Sequence, residues 1–138
     1  MQNGLTISRL AARTGVHLET IRYYERIGLM PEPERNKAGH RRYESAHEDR
    51  LSFILRARQL GFGLENVRSL LDLASTGQRS CERARAIAQQ RLEEVRMMVT
   101  ELTQLEATLS VLVQECGSGA SSSCAVLDLL ADHRDVGP

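Results

Sequence analysis

Between Cys81 and Cys116 apolar residues recur every seven positions. From Cys81 the repeat lands on Ala88, Val95, Leu102, Leu109 and Cys116, and the positions three further on are Ala84, Arg91, Met98, Leu105 and Leu112. No Gly or Pro interrupts the run, so it predicts one long helix with a single apolar seam, capped by Ser80 and ended by Gly117. A rise of about 1.5 Å per residue sets the two terminal thiols roughly 50 Å apart within one chain. A second copy packed antiparallel, with the two-fold axis near Met98 and Val99, places Cys81 of the partner subunit beside Cys116. Residues 117–123 are all small and lead to Cys124, so a third thiol can fold back on the other two. Three unrelated thiols on an ordinary coiled coil fit the same spacing.

Ahead of this rod the pattern is one of short helices with clear stops. Thr6 caps a helix carrying Ile7, Leu10 and Ala11, and Gly15 stops it. A second helix, about Leu18 to Arg26, turns Ile21 inward and stops at Gly28. Two short helices joined by a tight turn make a helix-turn-helix pattern, in which the second helix enters the DNA major groove. A plain helical hairpin shares that pattern. The outward Arg22, Tyr23 and Arg26 favour DNA, because guanidinium and phenol groups can meet bases and phosphates.

From Leu29 to Tyr43, Pro31 and Pro33 exclude a helix, and Asn36 to Gly39 predicts a turn between two short strands. With Lys37, His40, Arg41 and Arg42 on its edge, this hairpin is expected to be a wing along the phosphate backbone; a solvated basic loop has the same composition. Ser45 and Glu48 form an expected capping box for a helix with Leu51, Ile54, Leu55 and Ala57 on one side, ended by Gly61. Arg50 on another face could reach phosphate, with a plain surface role the favoured reading. A further helix, about Leu64 to Asp72, offers Val67, Leu70, Leu71 and Leu73 to the core.

Charge sharpens this division. The 138 residues carry no net charge, yet residues 1–60 hold eleven Lys/Arg against seven Asp/Glu, and residues 61–138 hold seven against eleven. A basic head on an acidic rod points to nucleic acid at the head. The seam needs a partner to bury it in a chain this short. Nothing resembles a signal peptide or a bilayer-spanning run, which leads to the expectation of a cytoplasmic protein; there, three cysteines favour free thiolates or metal ligands over disulfides. None of His17, His40, His47 and His133 is close in sequence to a thiol, so a cysteine nucleophile lacks a base and an enzyme is not expected. The fold class that follows is mainly α: a winged helix-turn-helix DNA-binding head with a short β-hairpin wing, plus a long antiparallel coiled-coil dimerisation helix.

The motifs carry a family resemblance. Residues 7–16 (ISRLAARTGV), 19–25 (ETIRYYE) with Gly28 and Leu29, the wing ending His40, Arg41, Arg42 and Tyr43, and Leu60, Gly61 and Phe62 resemble the MerR family of transcriptional regulators in order. The likeness extends over about residues 5–130 and is similar to the metal-sensing branch, in which one thiol opens the dimerisation helix and two flank a loop at its far end. His17 departs from it, standing where a small capping residue is expected. The resemblance implies a homodimer on a two-fold symmetric promoter site, where metal binding distorts the DNA and turns repression into activation by RNA polymerase.

The implied metal site is Cys81 from the partner chain with Cys116 and Cys124, and the implied DNA-binding residues are Arg22, Tyr23, Arg26, Arg41, Arg42 and Tyr43. Thiolates favour soft ions. Family members that sense monovalent copper or gold typically have serine at the position of Cys81, so cysteine there argues for a divalent ion. Zinc prefers four ligands, and no histidine lies between Cys116 and Cys124; Hg(II) is therefore the expected effector, with Cd(II), Pb(II) and Zn(II) as alternatives. A thiol redox sensor without metal is the other class of reading. The expected layout is 1–73 head (helix-turn-helix about 7–26, wing about 31–43), 74–80 linker, 81–116 dimerisation helix, 117–131 metal-binding loop and short helix, and 132–138 tail.

Overall fold

The computed structural model describes residues 4–76, 81–116 and 124–131, which fall into two compact units, Met1–Arg91 and Leu92–Pro138. Ser80 and Gly117, expected as caps of the long helix, lie outside the described residues, as do the loop 117–123 and the tail 132–138.

In the first unit, α1 (Ile7–Thr14) opens where the Thr6 hydroxyl accepts the Arg9 N–H at 3.2 Å and closes at Gly15, φ +78°. The second helix, α2 (Leu18–Arg26), opens at His17, whose extended backbone makes no side-chain cap bond. This is the position at which the sequence lacks the expected small capping residue. Just beyond α2 the N–H groups of Leu29 and Met30 both return to the Tyr24 carbonyl, at 2.9 and 3.0 Å. This folds the chain back so that both side chains enter the core.

The wing pairs β1 (Glu34–Arg35) with β2 (Arg41–Arg42), Glu34 opposite Arg42 and Arg35 opposite Arg41. Its turn is held by the Asn36 side-chain oxygen, which accepts the N–H groups of Ala38 and His40, each at 3.0 Å. An antiparallel bridge joins Tyr43 to Leu5, the residue before the α1 cap. Wing and first helix are thus tied through the backbone.

The third helix, α3 (Ser45–Gln59), is capped one residue earlier than expected. The capping pair is Glu44 and His47, with the Glu44 N–H donating to His47 Nδ1 at 2.9 Å; Ser45 already lies inside the helix, so the expected pairing with Glu48 does not form. Next, α4 (Leu64–Ser75) runs three residues past Asp72 and takes up the start of the expected linker. The core joins Leu10, Ile21, Tyr24, Leu29, Met30, Tyr43, Leu51, Ile54, Phe62, Val67 and Leu71, with Ile87 from the long helix packed against it.

Two arginines close the end of α2. Arg50 Nε donates to the Leu29 carbonyl at 2.8 Å, and Arg68 donates to the carbonyls of Ile27 and Gly28 at 2.8 and 3.3 Å. Cations suit a helix C-terminus, where unpaired carbonyls concentrate negative charge. Arg50 therefore holds the end of α2 rather than standing free.

The long helix, α5, spans Cys81–Cys116. Arg91, the polar break in the expected seam, donates from Nε to the Leu60 carbonyl at 2.9 Å. In the second unit, Leu102, Leu105, Leu109 and Val113 are all more than half exposed and line one open groove. The last described element is α6 (Ala125–Ala131).

Gly61 sits at φ +88°, where an added Cβ would lie 2.0 Å from Arg91 Nη2. Gly61→Ala is expected to lose about 1–2 kcal/mol from the left-handed backbone, and to lift Arg91 off Leu60. Urea unfolding at fixed protein concentration checks this, and an unchanged midpoint would speak against the contact.

Candidate nucleic-acid interface and thiol pair

In α2 the residues Ile21 and Tyr24, three apart, face the core. Helical spacing then leaves Arg22, Tyr23 and Arg26 outward. Tyr23 is 42% exposed, and the Arg26 guanidinium stands 5.7 Å from its ring centroid. Arg22 lies 3.7 Å from Glu19, both groups exposed; such pairs contribute little and open readily. These three expected residues therefore form one accessible face. Beside them a cleft between the wing and α2 is lined by Arg22, Arg35, His40 and Arg41.

The wing residues divide differently from expectation. Along a strand successive side chains alternate sides, so Arg41 and Tyr43 share a face and Arg42 takes the other. Tyr43 is wholly buried, and its hydroxyl donates to Glu25 Oε2 at 2.5 Å. It offers no side-chain surface to DNA, which corrects its expected contact role. Burial, then the Glu25 carboxylate, pushes its phenol well above the ordinary tyrosine range. Arg41 Nη1 donates to Glu25 Oε1 at 3.2 Å, while Arg42 rests on the Gly4 carbonyl at 3.3 Å.

Glu25 and Arg35 are contributors the sequence reading did not single out. For Glu25 the signal was available in the alternation of Arg41 and Tyr43. For Arg35 it was the cross-strand place opposite Arg41.

At the other end, Cys116 Sγ and Cys124 Sγ are 3.4 Å apart, and the Val126 N–H points to Cys116 Sγ at 3.5 Å. A zinc-like ion about 2.3 Å from each sulfur in tetrahedral geometry sets them about 3.8 Å apart. The pair thus fits a shared zinc-like ion in tetrahedral geometry after a shift of less than half an ångström. The Leu127 N–H, and after it the Cys116 thiol, hold the Cys124 thiol below its ordinary value. Cys81 is exposed at the first residue of α5. Among the described residues no cluster of three or more His, Cys, Asp or Glu is assembled within one chain.

The Cys124 thiolate should therefore form at lower pH than that of free cysteine, and Cys116→Ala, which removes a donor, should move its titration upward. The pH dependence of iodoacetamide alkylation at the Cys124 peptide reads this. A midpoint unmoved by the substitution would exclude the thiol contact as a cause.

Two family models match: "MerR HTH family regulatory protein" over residues 5–74 and "MerR, DNA binding" over residues 48–112. The chain is 37% identical over 132 residues to the mercuric resistance operon regulatory protein of Serratia marcescens, covering 95% of this chain and 90% of that one. It is similar to a lead(II)-bound transcription regulator from Ralstonia metallidurans CH34, with 33% identity, a TM-score of 0.75, and 92% and 99% of the two chains covered. It also resembles the mercury(II)-bound dual-function regulator MerR from Bacillus megaterium MB1, with 29% identity, a TM-score of 0.69, and coverage of 91% and 98%.

Proposed function

The chain belongs to the MerR family of helix-turn-helix transcriptional regulators as a metal-responsive regulator rather than an enzyme, and we propose that it acts as a homodimer switched by a thiophilic divalent ion. In this reading the α5 rods of two copies pack antiparallel, covering the apolar groove around Leu105 and Leu109. The two α2 helices then read a two-fold symmetric promoter site through Arg22, Tyr23 and Arg26, and the wing holds the backbone.

The observation that carries the metal reading is the 3.4 Å contact between Cys116 and Cys124, with Cys81 left exposed at the far end of the same helix. Cys116, Cys124 and Cys81 of the partner subunit would hold the ion, which supplies a bond between the loop of one chain and the helix start of the other. Hg(II) remains the first candidate on the ground of three sulfurs without an evident fourth ligand. Cd(II), Pb(II) and Zn(II) are the alternatives, and identities of 37% to a mercuric regulator and 33% to a lead(II)-bound one do not separate the metals. Deforming promoter DNA costs a few kcal/mol, within what differential metal affinity for two protein states can provide. The deformation would align the promoter for RNA polymerase.

The same sulfur contact favours a second reading, a redox sensor in which Cys116 and Cys124 are oxidised. In-vitro transcription from a promoter enriched by the protein, with Hg(II), Cd(II), Pb(II), Zn(II) or peroxide added, separates the two. Metal-dependent activation is expected, and a response to peroxide alone would reverse the assignment. Cys81→Ser should abolish metal activation while DNA binding persists; a full Hg(II) response in that variant would sink the three-thiol site. Arg22→Ala should weaken binding to the enriched site by about 1–3 kcal/mol per half-site, the usual worth of a base contact. Equal affinity for that site and for random DNA, before and after the change, would speak against its role.

A further inference from the structure

Three segments of the head converge on one carboxylate. Glu25, on the recognition helix, has only 5% of its side chain exposed. Its two oxygens accept from the Tyr43 hydroxyl at 2.5 Å and from Arg41 Nη1 at 3.2 Å. Tyr43 in turn bridges to Leu5 in both directions, N to O at 2.9 Å and O to N at 2.7 Å. The start of α1, the outgoing wing strand and α2 thus have a common fastening, and its centre is a buried charge.

Arg41 is the cation of this fastening and is itself only 35% exposed. Turning its guanidinium to a phosphate would strip a carboxylate of its counter-charge away from water, where the loss is large because solvent cannot replace the partner. Arg42 is under no such constraint: its guanidinium rests on a neutral carbonyl, and a phosphate in that place would be a stronger acceptor.

We propose that Glu25 is a positioning residue for DNA recognition, fixing the wing against the recognition helix and retaining Arg41 as its counter-ion, so that the phosphate contact of β2 falls to Arg42. This rests on the DNA-binding reading above. Its consequence is that two adjacent arginines affect DNA affinity by different physics: Arg42 by neutralising a phosphate, Arg41 by holding the wing in place.

The salt dependence of binding distinguishes them, since each phosphate neutralised contributes about 0.9 to the slope of log affinity against log salt. The full-length chain and its variants are titrated against a duplex enriched from a random library by the wild-type protein. Arg42→Gln should make the slope shallower by about 1.8 for a dimer altered in both chains. Arg41→Gln should leave the slope unchanged while weakening affinity about tenfold at any one salt concentration, as a displaced groove contact does. Glu25→Gln, which keeps an acceptor for Tyr43 but frees Arg41, should make the slope steeper by up to about 1.8.

Because Arg41→Gln leaves a buried carboxylate without its cation, the paired variant Glu25→Gln with Arg41→Gln is measured alongside; it should fold and keep the wild-type slope. A slope lost in Arg41→Gln or in the paired variant to the same extent as in Arg42→Gln would overturn the proposal, as would an unchanged slope in Glu25→Gln. A wild-type protein that enriches no duplex would instead overturn the DNA-binding reading itself.

Discussion

Apolar surface on a lone helix has to be covered. Leu102, Leu105, Leu109 and Val113 are 63%, 52%, 51% and 67% exposed along one side of α5. Fully burying a side chain of this size contributes about 1.5–3 kcal/mol, so covering even the exposed part of four on each of two chains approaches the whole stability of a small domain. Association has its own entropic cost, but a surplus of that size is enough to drive pairing. Identical rods related by a two-fold axis offer each other the same seam, which makes a second copy the economical cover.

That constraint also determines what the thiols can report. Cys116 and Cys124 already touch within one chain, so an ion held by these two alone would bind both states of a dimer almost equally and shift nothing. Discrimination requires a ligand whose distance depends on how the two chains sit. Cys81, exposed at the first residue of α5, would supply one from the partner subunit in the proposed antiparallel dimer. On the proposed metal site, the third sulfur would convert occupancy into a change of shape, whereas the first two would chiefly set affinity.

The parts of this fold that were legible in the sequence are those decided locally. Thr6, Gly15 and Gly28 mark the ends of α1 and α2 because capping and left-handed backbone depend on a few neighbouring residues. Pro31 and Pro33 with the Asn36–Gly39 turn did the same for the wing. Long-range ties explain the misses. Ser45 is the better intrinsic cap, but Tyr43 is fixed by its bridge to Leu5, and the extended backbone continues through Glu44, so the helix starts one residue earlier in capping terms. Arg91 interrupts the heptad because it reaches a carbonyl thirty-one residues back. In the second unit the contact between Cys116 and Cys124 agrees with the expected fold-back of the third thiol, although the loop that would make it lies outside the described residues.

Counting charge was the weakest guide to the DNA face, and the structure shows why. Of the cations in the basic head, Arg13 is paired with Glu48 and Arg41 with Glu25, while Arg50 and Arg58 donate to the carbonyls of Leu29 and Phe62. These groups hold helix ends and the wing in place, and their charge contributes to the field around the head without being aimed at a ligand. A helix-turn-helix needs this, because α2 has only nine residues and short helices are marginal unless tertiary contacts support them. The arginine excess of the head therefore performs two tasks. The arginines that anchor carbonyls and carboxylates make a short helix rigid enough to present Arg22, Tyr23 and Arg26 in one orientation, and on the proposed DNA contact the ordering cost at binding would otherwise fall on these three side chains.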